Sequence, residues 1–136
     1  MNRLVVDSSV AFKWFHPEEE GHVAEATALL WQHHGGAIRL AAPPAVQLEL
    51  ANALRHSKLN QPTVLAIIHA FGCLGIDLIE STPDRIARAT ELSYQSGIAV
   101  YDALFLGLAE ELKCPLVTAD RRAFASVDST VEIRLL

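Results

Sequence analysis

Apolar residues recur along this chain in two patterns that alternate. Short aliphatic and β-branched runs fall at residues 3–6, 38–42, 76–79, 115–118 and 131–135. They read as buried strands. Longer segments between them carry apolar residues three and four positions apart, the spacing of a helix face. Ser8 and Ser9 can cap a short helix running to about Phe15. Residues 16–21 read as a loop that starts the next helix, where Val23, Ala26, Leu29 and Leu30 recur within 22–34 and Gly35-Gly36 end the run. Pro43-Pro44 opens a long helix with Val46, Leu50, Ala53 and Leu54 on one face and Glu49 within it, broken by Asn60-Gln61-Pro62. A further helix spans 63–72. Thr82 caps another at 83–96, with Pro83 in its first turn and Gly97 at its end. Residues 100–112 are apolar almost all round, which predicts a buried helix.

Strands alternating with helices predict an α/β fold: a three-layer α/β/α sandwich around a mostly parallel sheet of four to five strands. The 136 residues suit one domain over 1–136, and 51% hydrophobic against 20% charged residues excludes a disordered chain. The net charge of -5 argues against tight nonspecific nucleic-acid binding by charge alone. It leaves a nucleic-acid substrate open, because a cation would neutralise an acidic site. Cys73 and Cys114 form no CxxC pair and read as buried packing thiols in a reducing compartment. The N-terminal apolar run, broken by Asp7, is too short for a signal sequence, and no stretch is long enough to cross a membrane. The expected location is cytoplasmic.

Four acidic residues stand in apolar surroundings. Asp7 closes Leu4-Val5-Val6, Glu49 lies in AAPPAVQLELANAL, Asp102 interrupts AVYDALFLGLA, and Asp120 follows Leu116-Val117-Thr118-Ala119. Carboxylates are rarely buried without a partner. Asp7 and Asp120 each follow a strand, where ligands of open parallel sheets bind. A hard divalent cation, Mg2+ or Mn2+, is the simplest shared partner. Such an ion activates water and offsets charge on a phosphate, so this reading predicts phosphodiester hydrolysis. Each acid alone has a plainer reading: a cap for Asp7, a solvated helix position for Glu49, a helix-dipole partner for Asp102, a turn or cap for Asp120. Thr118 shares a strand face with Asp120 and could steady a ligand, and Ser9 could do so from the first helix.

The segments LVVDSSVAFKWF, LELANALR and YDALFLGLAEELKCPLVTADRRAF resemble PIN-domain ribonucleases, specifically VapC-type toxins of toxin–antitoxin pairs. The resemblance covers most of the chain in the expected order. It implies a PIN-like fold and an Mg2+- or Mn2+-dependent endoribonuclease with Asp7, Glu49, Asp102 and Asp120 as metal ligands. Ser9 and Thr118 match the family's hydroxyl positions. Ser8 stands where a Thr is common, and Asp128 matches a further family acid only loosely. An RNA substrate, a homodimer and an inhibitory antitoxin are also implied. Arg121 and Arg122, and less directly Arg55, His56 and Lys58, could contact RNA phosphates at the rim. Trp14, Phe15 and Trp31 could serve as core or as interface residues.

Alternative readings are a noncatalytic PIN-like binding module and a PIN nuclease with a housekeeping role in RNA processing. Six histidines without HExxH or Cys/His spacing make zinc unlikely, and the adjacent His33-His34 read as surface or helix-end residues. No phosphate-binding loop is present: Gly72 and Gly75 lack a following Lys-Ser/Thr. A phosphoacceptor receiver domain would want paired acids after its first strand, where Ser8 follows Asp7.

Overall fold

The computed structural model describes residues 2–18 and 20–136. Glu19, in the loop expected over 16–21, lies outside the described residues. Along the chain run β1 (Asn2–Val6), α1 (Ser8–Phe15), α2 (Val23–His34), β2 (Ile38–Ala42), α3 (Ala45–Arg55) and α4 (Gln61–Gly72). There follow β3 (Asp77–Leu78), α5 (Pro83–Ser96), α6 (Val100–Leu112), β4 (Leu116–Thr118), α7 (Arg121–Phe124) and β5 (Ile133–Leu135).

The strands form one five-stranded sheet in the order β3-β2-β1-β4-β5. Every pairing is parallel, so the sheet is wholly rather than mostly parallel. β1 lies at its centre, and its Leu4, Val5 and Val6 are all buried. That explains an apolar run without alternation: both faces of a central parallel strand meet helices. Val5 joins Leu116 in the larger core with Val46 and Leu50 of α3, Leu92 of α5 and Phe105 of α6. Leu4 and Val6 pack the other way with Leu40, Val117 and Ala26 and Leu29 of α2. The sheet is thus the middle of three layers.

Several boundaries depart from the sequence pattern. α3 stops at Arg55, with His56 as its C-cap, so Lys58 lies beyond the helix. α4 starts at Gln61 rather than 63, because the Asn60 side chain caps it by accepting from the Thr63 N–H. Pro62 sits in the first turn, where its missing N–H costs nothing. β3 keeps only two residues at the sheet edge, and β5 begins at Ile133 rather than 131. The short α7 has no apolar period of its own to announce it. His22 adopts a left-handed conformation ahead of α2 instead of joining it.

One expected burial also fails. Cys73 is exposed after α4, whereas Cys114 is buried. Trp31 is 68% exposed. Trp14 instead packs against both cores and donates its indole N–H to the Ala26 carbonyl at 2.8 Å, tying α1 to α2. His33 is a buried structural residue rather than a surface one. Its Nδ1 accepts from the Leu40 N–H at 3.1 Å and its Nε2 lies 3.1 Å from the Leu74 carbonyl, so the neutral ring donates there.

Candidate active site

The order of the strands decides where a ligand can sit. β1 connects onward to β2 on one side, while β4 and β5 lie on its other side. The gap between β1 and β4 is therefore the point where the winding reverses, and open α/β sheets bind ligands beyond the carboxyl ends of such strands. Val5 pairs with Leu116 and Val6 with Val117. One residue further, Asp7 and Thr118 emerge side by side.

Asp7 is only 6% exposed and Thr118 is completely buried. The Thr118 hydroxyl donates to Asp7 Oδ2. On the other carboxylate oxygen, Oδ1, Asp7 accepts from the Ser9 N–H at 3.1 Å and from the Ser9 hydroxyl at 2.5 Å. Asp7 is thus also the N-cap of α1, a place the hydroxyl pattern suggested for Ser8 or Ser9. The Ser9 and Thr118 oxygens then accept from the next strand end: Ala119 N–H to Ser9 Oγ at 2.8 Å and Asp120 N–H to Thr118 Oγ1 at 3.0 Å. Two hydroxyls therefore join the start of α1 to the end of β4.

Asp120 caps α7, its Oδ1 accepting from the Ala123 N–H at 3.1 Å. Glu49 reaches this edge from α3, where Ser8 donates its hydroxyl to Glu49 Oε1 at 3.0 Å. Asp102 stands in the first turn of α6 and is half-buried. Capping and membership of the cluster are compatible, because a carboxylate has two oxygens and several lone pairs.

The electrostatics tie the four acids together. Burial pushes the Asp7 carboxyl above its usual range, against the lowering effect of its Ser9 and Thr118 hydrogen bonds. Burial also drives Glu49, pushed up to about 7, and repulsion from Asp7 and Asp102 adds to the effect that Ser8 partly offsets. Asp102 is raised by burial and by the Asp120 charge. No basic side chain contributes to any of these shifts. Among the described residues no cation offsets these shifts, and the cluster holds negative charge at a cost.

The donors here are hard carboxylate and hydroxyl oxygens, which suit a hard divalent cation. Among the described residues, no three Asp, Glu, His or Cys side chains close into a ready metal cage. That is compatible with an ion that keeps several of its waters and takes only one or two carboxylates directly.

The remaining sequence candidates separate. Ser8 was read in the sequence as a cap and as a departure from a common Thr, yet it is the partner of Glu49; a hydroxyl at a helix start carries no sign of which distant side chain it will meet. Arg121 and Arg122 are exposed beside Asp120, and Arg121 reaches the Leu136 carbonyl at 3.4 Å. Asp128 is exposed, and its neighbour Ser129 bonds Glu110 near the far end of α6. Glu110 lies about 12 Å along the helix from Asp102 at 1.5 Å per residue, so Asp128 is not drawn into the acidic edge.

Residues 4–129 match the family model of the PIN domain. No curated protein matches the sequence. Among solved structures, the fold is similar to VapC20 of Mycobacterium tuberculosis, a sarcin-ricin-loop-cleaving toxin, at 14% identity over 95% of this chain and 98% of that one, with a TM-score of 0.72. It is also similar to VapBC2 of Rickettsia felis bound to promoter DNA, at 16% identity over 98% of each chain and a TM-score of 0.71. PAE2754 of Pyrobaculum aerophilum matches at 21% identity over 97% of this chain and 90% of that one, with a TM-score of 0.66. At such identities these neighbours speak to the fold. A parallel sheet with carboxylates gathered at its switch point and a family match across nearly the whole sequence agree, and the chain belongs to the PIN-domain family.

Proposed function

We propose that this protein is a metal-dependent endoribonuclease, the toxin of a toxin–antitoxin pair, held inactive by a cognate antitoxin. One observation carries the reading: at the strand-order switch point the charges of Asp7 and Asp102 raise Glu49, that of Asp120 raises Asp102, and no basic side chain among the described residues offsets these shifts. The structural likeness to VapC20 and to a VapBC complex supports the toxin assignment.

In this reading Asp7, Asp102, Asp120 and Glu49 hold Mg2+ or Mn2+. The ion supplies Lewis-acid charge that activates water and offsets the charge developing on phosphorus and the leaving oxygen. The protein's own residues do the positioning. Ser9 and Thr118 fix both oxygens of Asp7, so its carboxylate does not have to be ordered when ligands arrive. Ser8 orients Glu49 in the same way. Arg121 and Arg122, at the rim, suit RNA phosphates, with one N–H of Arg121 already directed to Leu136.

A protein partner fits the apolar surface beside the site. Leu48, 77% exposed, is next to Glu49 in the sequence, and Leu65 and Ile68 on α4 are exposed along one cavity with Ala51 and Leu59. Exposed apolar side chains grouped in this way mark surfaces that partners cover. The partners assigned are an RNA substrate, an antitoxin and a second copy of the chain.

RNA cleavage by wild type, Asp7→Asn and Asp102→Asn with Mg2+ or Mn2+ tests the assignment. Each substitution should lower the rate at least a hundredfold. Equal rates in all three proteins would remove these acids from the chemistry. No metal-dependent cleavage of tRNA, rRNA or mRNA would instead favour the noncatalytic binding module.

A further inference from the structure

The amino edge of the sheet, opposite the acidic site, carries a cavity of about 420 Å³. Arg3, Lys113 and Arg134 line it, and among the described residues no carboxylate does. This is unexpected in a chain of net charge -5. The fold assembles the three cations from separate places: Arg3 opens β1, Lys113 caps the end of α6 in a left-handed conformation, and Arg134 lies on β5.

Their neutralisation is incomplete. Arg3 lies opposite Arg39 in the register of β1 and β2. Arg39 takes the nearest acid, Asp77, in a two-pronged pair at 3.0 and 2.7 Å. Among the described residues, the side chains of Arg3 and Lys113 make no hydrogen bond or ion pair, and Arg3 feels Asp77 only through its charge. Arg134 pairs with exposed Glu132 at 3.1 Å, a surface contact that a ligand can displace at small cost. The arginines of the cavity between α5 and α6 differ. Arg85 and Arg88 are held by Glu111 at 2.8 Å and Glu110 at 3.1 Å, so that cavity is balanced.

The rest of the lining limits the ligand. Ile38 and Leu112 give an apolar wall, and the amide of Gln32 adds a donor and an acceptor. The volume lies within the range of small-molecule sites, roughly 300–1,000 Å³. Three cations converging on one cavity suit a compact anion better than an extended backbone, which needs a row of charges. We propose that this cavity is a second binding site, for a nucleoside 5′-phosphate. The phosphate meets Arg3, Lys113 and Arg134, and the nucleoside lies against Ile38 and Leu112.

Isothermal titration with AMP, adenosine and inorganic phosphate, in EDTA so that the acidic edge carries no metal, tests the site. AMP should bind at least tenfold more tightly than either fragment. The double variant Arg3→Gln/Lys113→Asn should weaken AMP at least tenfold; Asn tolerates the left-handed backbone at 113. Arg134→Gln should weaken it separately, and Asp7→Asn should leave it unchanged. Both residues of the double variant are exposed, and an unchanged melting curve confirms that it folds. Absence of AMP binding at millimolar concentration overturns the proposal. So does equal affinity for inorganic phosphate, which marks a bare anion site, or wild-type affinity in the double variant.

Discussion

Thr118 shows how much can depend on one hydroxyl. It is fully buried, donates to Asp7 and accepts from the Asp120 N–H. Thr118→Val keeps the shape but strands both partners, and an unsatisfied buried polar group costs about 1–3 kcal/mol. Urea denaturation should show that loss, with Thr118→Ser recovering most of it. Glu49 gives a pH effect. Its carboxyl rises from an ordinary 4.5 to about 7 in the folded protein. The folded state therefore binds more protons than the unfolded state between those values, and metal-free stability should fall as pH rises through that window. Glu49→Gln should flatten the profile between pH 4.5 and 7 in thermal melts with EDTA; an unchanged slope would remove Glu49 as its source. At this scale the sequence showed which acids were out of place, but not that Ser8 serves Glu49, which lies 41 residues away.

The elements were most legible where local chemistry and packing agree. α5 and α6 run over the segments the pattern marked, because Thr82 and Pro83 start α5 and Gly97 ends it. Gly97 has φ 74°, and no atom lies within 4 Å of where its Cβ would be. Gly97→Ala should therefore cost about 1 kcal/mol through backbone strain alone. Thermal denaturation would show the shift, while metal-dependent cleavage by the folded protein should persist. Elements were misread where neighbours decide. β3 is an edge strand paired only to β2, so little pairing holds it beyond Asp77–Leu78. α7 is a single turn held by the Asp120 side chain, and four residues carry no readable period. Cys73 was misjudged for the same reason: apolar character does not say which side of a helix the fold covers.

Across the whole molecule, charge is divided between the two edges of one sheet. Acids gather at the carboxyl ends of β1 and β4, and at the amino edge Arg3 and Lys113 carry side chains with no ion pair among the described residues. If the acidic edge takes Mg2+ or Mn2+, the ion relieves repulsion present only in the folded protein. Saturating metal should then raise the melting temperature, by about 2.7 kcal/mol of stability at a hundred times Kd. The gain should shrink in Asp7→Asn and below pH 7, where protons compete for Glu49. Calorimetry at millimolar metal would show it; an unmoved transition would count against a metal site there. The sequence by itself determined the alternation of strands and helices, the family, and the misplaced acids, because these rest on local periodicity and on the cost of setting charge beside apolar runs. Only the tertiary structure decided that Asp7 and Thr118 emerge side by side, that Ser8 and Ser9 serve different carboxylates, and that Arg3, Lys113 and Arg134 face one cavity. Those relations come from strand order, register and helix packing, which join residues 41 to more than a hundred positions apart and leave no trace in any local window.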